Sequence, residues 1–514
     1  MFTEVRQAAK HDALTGLPNR ILLAELLAER TGPAVAAVAL PTASAVPAVS
    51  TAAAGSRPAG PAGSGGGSGT GCDAPRVGLC FLDLDGFRQV NAILGFGAGD
   101  RLLAAVAARL AGCAQPAGHT VARTGGDEFA VLLAPGADFG AAGRFAERLL
   151  AVLREPVAVD GRDLTVTASI GAVDAPAAGA DPEDLMRAAD LALHWAKGEG
   201  RDRWTLFDPD RAVLDIARYR LAADLPAAVE NGEFFCEYQP IVDLADGTVS
   251  SVEALVRWRH PRFGLVGPDR FITLAEDSGL IVELGRRVLA EACAQAATWP
   301  SVPGRPAPAV SVNVAVRQTR DPRLTAHVLA ALDAAGLPAD RLRLEITESA
   351  LLPGDDTAAR VLAALAARGV RIAVDDFGTG YSNLAHLRRL PVHILKIDGT
   401  FVAGLDRPGD PANPDEQIVG TVTALGHALG LSVTAEGVET AAQLAAIRRL
   451  GCDTGQGWLF SRALPADGIR ELLVRGARLA ASHTAGDSTP GSAGDSAPGS
   501  ARDQDPKVTS TGLL

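Results

Sequence analysis

Only 4% of this 514-residue chain is aromatic and methionine occurs twice, so much of its 47% hydrophobic content is alanine. Positive charge is also short. Forty-eight Lys and Arg face sixty Asp and Glu, a formal net charge of −12, which leaves no basic face able to neutralise a phosphate backbone and excludes a nucleic-acid polymer as partner. The six cysteines (Cys72, Cys80, Cys113, Cys236, Cys293, Cys452) include no Cys-x-x-Cys pair, so a disulfide framework is excluded and reduced thiols in the cytoplasm are expected. No charged-then-apolar leader opens the chain. No long uninterrupted apolar run is present either: residues 33–56, "PAVAAVALPTASAVPAVSTAAAGS", are broken by Pro41 and Pro47, so no membrane segment is expected.

That run passes into "RPAGPAGSGGGSGTG", and residues 33–75 read as a low-complexity insertion in a surface loop. Residues 473–514, with the tandem "GDSTPGSA" and "GDSAPGSA", read as a disordered tail. A chain of this length exceeds one core. The division falls in "DPDRAVLDIA", a Pro-started helical connector over 208–217, between a domain spanning 1–207 and one spanning 218–472.

The first domain reads as mixed α/β, with strand pairs and helices alternating. Its most informative stretch is "RTGGDEF" at 123–129, where apolar alternation on both sides predicts a β-hairpin whose turn contains Gly125-Gly126. A plain hairpin needs no acid at its turn. Asp83, however, ends the apolar strand "GLCFLD", and a strand-end acid beside a turn acid suits Mg²⁺ held between carboxylates and substrate phosphates. The paired glycines let the backbone approach a triphosphate.

With "DALTGLPNR" at 12–20, "DLDGFRQVN" at 83–91, "GD" at 99–100, "TASIG" at 167–171 and "AKGEGR" at 196–201, this domain resembles the GGDEF family of diguanylate cyclases. The resemblance implies that Asp83 and Asp127 bind metal with Glu128 in support, that Asp127 and Glu128 are catalytic, and that Asn91 and Asp100 read the guanine edge. Lys197 and Arg201, four apart on a helix end, would contact phosphates beside Gly125 and Gly126. The implied reaction joins two GTP molecules, each carried with Mg²⁺ by one domain, and so implies a homodimer. Asn91-Ala92 and Gly95-Phe96 depart from the family's usual Asn-Asp and Phe-Gly-His. Only eleven residues precede the first motif, so no sensor domain is expected ahead of it. Pro116-Ala117-Gly118-His119 stand where many members carry the Arg-x-x-Asp of a product-inhibition site, so no such site is expected. Two readings stay open: a cyclase, or a GTP-binding module that regulates its neighbour.

After the connector, short apolar strands ending in polar residues alternate with amphipathic helices: "SVEALVRW", "AVSVNVA", "LRLEITES", "RIAVDDFG", "HILKIDG", "SVTAEGV" and "DTGQGWLF". Such repetition predicts a TIM-like β/α barrel, whose strand ends converge on one mouth. Glu253, Asn313, Glu345, Asp375, Asp376, Lys396, Glu436 and Gln456 all fall in or just after these strands, and so many acids in one mouth call for cations between them.

"YQPIVDL" at 238, "EALVRW" at 253, "FITLAEDSGLI" at 271, "NVA" at 313, "EITES" at 345, "DDFGTGYSNL" at 375, "LKID" at 395, "AEGVET" at 435 and "GQGWLFSR" at 455 resemble, in order, the EAL family of cyclic di-GMP phosphodiesterases. The resemblance implies two Mg²⁺ or Mn²⁺ ions, one held by Glu253, Asn313, Glu345 and Asp375 and the second beside Asp376. Lys396 would position or deprotonate the attacking water, with Glu253 and Glu436 also catalytic, and Gln239, Arg257 and Gln456 would touch substrate. Glu348 would anchor the loop "DDFGTG". The ligands implied are GTP and cyclic di-GMP. The chain as a whole reads as a tandem enzyme of cyclic di-GMP turnover or, alternatively, as a nucleotide-sensing signalling protein.

Overall fold

The computed structural model describes residues 9–31, 75–159, 161–301, 305–348, 356–378, 387, 390–406, 413–476 and 479. The expected insertion lies outside these residues except for Pro75, as do residues 379–386 and most of the expected tail. Two compact units divide between Ala217 and Arg218. No helix among the described residues is long and apolar enough to cross a membrane.

The first unit is a five-stranded sheet in the order β2-β3-β1-β6-β7, built from β1 (Arg76–Leu84), β2 (Thr120–Gly125), β3 (Glu128–Leu132), β6 (Ala168–Pro176) and β7 (Trp204–Leu206), with β4 (Val157–Val159) and β5 (Arg162–Leu164) as a separate hairpin. Strand alternation sorts the side chains of β1. Cys80, Leu82 and Leu84 pack with helices Phe96–Ala114 and Ala141–Leu153, while Val77 and Leu79 pack with helices Arg20–Thr31 and Pro182–Gly198. The segment read as one strand, "LTVTASIGAV", divides between β5 and β6. Asp83 shares its alternation with the second face and emerges at the strand's end.

Helix Pro209–Asn231 runs on from the expected connector to Asn231. The second unit closes eight strands into a barrel: β8 (Phe234–Asp243), β9 (Val249–His260), β11 (Ala309–Asn313), β12 (Leu342–Thr347), β13 (Arg371–Phe377), β14 (Ile394–Ile397), β15 (Ser432–Ala435) and β16 (Thr454–Gly455), with the short β10 (Gly264–Val266) paired onto β9. From β9 to β16 the barrel neighbours are parallel, but β8 is antiparallel to both β9 and β16 and seals the cylinder. Seven of these strands match segments read from the sequence. β8 is not among those segments: it leads into a hairpin, not a helix, and so lacks the βα rhythm. Outward residues such as Val252, Ala254, Leu344 and Ile372 build the core against the surrounding helices, which leaves the alternate residues facing inward. Helix Ala466–Val474 extends past the expected limit of 472.

Candidate active site

In the barrel, seven of the expected side chains converge. Glu253 lies in β9, Glu345 in β12, Asp375 in β13 and Lys396 in β14, Asn313 ends β11, and Glu436 and Gln456 directly follow β15 and β16. All seven are buried. At the centre stands Lys396, 1% exposed, its Nζ 2.5 Å from Glu345 Oε2, 2.5 Å from Glu436 Oε1, 3.1 Å from Asp375 Oδ1 and 3.9 Å from Glu253 Oε2. Glu253 also accepts from Asn313 Nδ2 at 2.7 Å and from Gln456 Nε2. Gln456 Nε2 reaches Gln239 Oε1 at 3.1 Å, and Gln239 lies opposite Glu253 in the β8–β9 register.

Asp376 joins this set through a bulge. Val374 pairs with Leu395 and Phe377 with Ile397, so Asp375 and Asp376 together oppose the single residue Lys396. Successive strand residues normally face opposite sides. Here Asp376 adopts φ 53°, a left-handed conformation strained for a non-glycine residue, and both carboxylates reach the mouth. Oxygens of Asp375, Asp376 and Glu436 lie within 4.8 Å of one another.

Charge dominates the chemistry. Burial pushes Glu345 up to about 8, against the opposing pull of Lys396, and Glu253 and Asp375 add to the rise. Asp375 is raised by burial and by Glu253, and Glu436 is raised well above the usual range by burial and Asp375. Burial works against the Lys396 ammonium, but Asp375, Glu253, Glu345 and Glu436 outweigh it and hold the group protonated. Five carboxylates around one ammonium leave an excess of negative charge that protons or cations must satisfy. The donor set is all oxygen, which suits a hard divalent ion, and the buried Gln456 Oε1, without a hydrogen-bond partner, offers one more acceptor. The metal-spaced trio includes Glu436, which the sequence reading assigned to catalysis and not to metal.

Arg257 shares the inward face of β9 with Glu253, four residues on, and its Nε donates to Glu237 Oε2 at 2.9 Å. Glu348 Oε2 accepts from the Gly378 N–H at 3.2 Å, at the start of the glycine-rich loop.

In the first unit, Asp83 of β1 is in register with Glu128 of β3, and the hairpin turn is Gly126-Asp127, one residue later than the expected glycine pair. Gly126 has φ 48°, which favours glycine. Burial raises the Asp83 carboxyl despite the Lys197 ammonium 2.8 Å from its Oδ2; Glu128 is raised by burial and then by Asp83. Lys197, expected on phosphate, thus pairs with the expected metal ligand. Arg201 does not share its helix face: the helix ends at Gly198, and Arg201 lies beyond it at φ 60°. Asn91 and Asp100 sit on consecutive helices, Phe87–Leu94 and Phe96–Ala114. A Cβ on Gly99 would stand 1.9 Å from Asn91 Oδ1, so glycine there makes room for the amide, whose oxygen is buried without a partner.

Three features escaped the sequence reading. Arg123 donates to the Gly126 carbonyl and, at 2.9 Å, to Asp12 Oδ1, tying "DALTG" to the hairpin. Asp85 accepts from Thr167, Ser169 and the Asp202 N–H and pins three segments together. Finally, His119 lines a 430 Å³ hollow with Arg144 and Arg148, arginines that its neighbours in sequence lack. Burial, with Arg148 and Arg30, lowers the His119 pKa, and its Nδ1 accepts from the Ala134 N–H.

Residues 72–203 match the family described as "Diguanylate cyclase, GGDEF domain" and residues 222–463 match the EAL domain. The "Cyclic di-GMP phosphodiesterase NbdA" of Pseudomonas aeruginosa is 38% identical over 91% of this chain and 54% of its own length. The "Bifunctional diguanylate cyclase/cyclic di-GMP phosphodiesterase MucR" of the same organism is 37% identical over 90% of this chain and 62% of its own. An uncharacterized protein of Mycobacterium tuberculosis is 36% identical over 91% and 68%. The chain therefore spans about half to two thirds of the length of these relatives.

Proposed function

The chain belongs to the family in which a GGDEF domain is joined to an EAL domain, and from that premise we propose that its barrel hydrolyses cyclic di-GMP to the linear dinucleotide pGpG with Mg²⁺ or Mn²⁺. One observation carries the proposal: side chains from six strands or strand ends gather around Lys396 of a seventh, with more carboxylate than one ammonium can neutralise. In this reading Glu253, Asn313, Glu345 and Asp375 hold one ion, and Asp376 with Glu436 faces the second. Bound there, divalent ions supply a Lewis acid for the phosphodiester oxygens and a lower pKa for the attacking water.

The protein's own residues do the rest. Lys396, already donating to three carboxylates, has no lone pair to accept a proton, so it holds those carboxylates in place and leaves the water's proton to the acid set. Asn313 and Gln456 orient Glu253 from two sides. Gln239 and Arg257 line the substrate's path, with Glu237 keeping the guanidinium extended. Glu348 holds the backbone N–H of Gly378, just past the paired aspartates.

For the first unit we propose GTP binding, with Asp83 and Asp127 on Mg²⁺, Glu128 beside them and the unpartnered Asn91 oxygen toward the base, together with Asp100. Lys197 would leave Asp83 for the phosphates, joined by Arg201 from the loop. Synthesis of cyclic di-GMP would then need two such domains face to face, hence a homodimer; a GTP-binding regulatory module is the second reading. Among the described residues Cys80, Cys113, Cys236, Cys293 and Cys452 are free thiols, which suits a cytoplasmic setting.

The test is chromatography of products from cyclic di-GMP and Mg²⁺ or Mn²⁺. Wild-type protein should yield pGpG. Folded Glu253→Ala protein should lose at least the roughly 100-fold that even outer-shell partners of a metal can cost; full retention would show the site is misassigned.

A further inference from the structure

Below the acid set lies a layer that the reaction above does not use. Barrel strands send alternate residues inward, so the residue two positions before each inward ligand belongs to the next layer down. Those residues are Ser251 below Glu253, Ser311 below Asn313 and Arg343 below Glu345. The register makes them neighbours: Ser311 aligns with Arg343 across β11 and β12, and β9 with Ser251 flanks β11 on its other side.

Arg343 spans this layer. Its guanidinium donates to Ser251 Oγ at 2.6 Å, across the strand that carries Ser311. Arg343 Nε and Ser311 Oγ are both buried without a hydrogen-bond partner. The side-chain bond it makes among the described residues thus goes to a neutral hydroxyl, not to an acid. A guanidinium stays charged at neutral pH, here with burial and Arg371 working against the charge and Glu345 supporting it. A half-buried cation of this kind has the carboxylates one layer above as its electrostatic counterpart.

We propose that Arg343 is a positioning residue acting through the acid set: its fixed charge beneath Glu253, Asn313 and Glu345 weakens their pull on divalent ions and keeps those ions exchangeable. The inference rests on the reading that these side chains hold such ions. A pure strut would act differently, since removing it would loosen the ligands and weaken metal binding.

The experiment titrates Mn²⁺ into the full chain without nucleotide, following the free-ion signal by electron paramagnetic resonance, in an Asp83→Ala background that silences the first unit. Wild-type barrel must bind Mn²⁺; if it does not, the metal reading itself fails. Given binding, Arg343→Met should tighten it about tenfold, since a unit charge one strand layer below the ligands is removed from a half-buried site. Arg343→Lys, which keeps the charge, should stay within about twofold. Equal or weaker binding by a folded Arg343→Met, or equal tightening by Arg343→Lys, overturns the proposal. Arg343→Gln provides a second neutral variant; if neither neutral variant folds, the guanidinium is a strut and the tuning role is abandoned.

Discussion

Replacing Lys396 with methionine keeps most of the side-chain volume and removes the only cation within ion-pair distance of Glu345, Glu436 and Asp375 among the described residues. At contacts of 2.5 and 3.1 Å and an effective dielectric of about 20, each pair is worth roughly 5–7 kcal/mol, set against desolvation of several kcal/mol per ion. The measured cost of stripping one partner from a buried ion pair is about 3–5 kcal/mol. For a unit of this size each kcal/mol moves the melting temperature by about 2–4 °C, so Lys396→Met should lower the barrel's transition by roughly 6–20 °C in calorimetry with EDTA. Millimolar Mg²⁺ or Mn²⁺ should recover part of the loss, because cations then replace the ammonium. A transition unchanged in EDTA, or one that divalent ions leave where it is, would refute the idea that charge excess governs this site.

The pH dependence follows from the same excess. Glu345 is raised from 4.5 to about 8 in the folded barrel, so its contribution is fully present below about pH 4.5 and is lost as pH rises through 8; metal-free barrel should lose stability over that window, and saturating Mg²⁺ should flatten the fall in denaturant titrations. Asp376→Ala and Asp376→Gly remove the same carboxylate, but at φ 53° the glycine variant should be about 1 kcal/mol the more stable, with hydrolysis lost in both. Asp127→Ala should abolish any conversion of GTP while calorimetric GTP binding only weakens, since Asn91 and Asp100 remain; product formation at the wild-type rate would remove Asp127 from the site.

Much of this was legible because both sites are built from motifs with a fixed relation to strand ends. Asp83 and the barrel acids end or follow apolar strands, and for all of them but Asp376 alternation predicts which face they take. What escaped depends on distance along the chain or on backbone irregularity. Arg144 and Arg148 reach the hollow beside His119 from the helix that follows the hairpin, so inspecting the residues next to His119 missed them. The bulge that turns Asp376 into the mouth leaves no mark on the spelling of "VDDF". The spacing of Lys197 and Arg201 suggests one helix face, but the helix ends at Gly198, and β8 lacks the βα signature because its partner is reached by a hairpin.

The central claim is that the barrel's acid set directs water onto a phosphodiester. Its most direct test is to incubate the wild-type chain with cyclic di-GMP and Mn²⁺ in ¹⁸O-labelled water and weigh the product by mass spectrometry. The account predicts pGpG carrying one ¹⁸O on its terminal phosphate; unchanged cyclic di-GMP from protein that demonstrably binds both nucleotide and metal would contradict it.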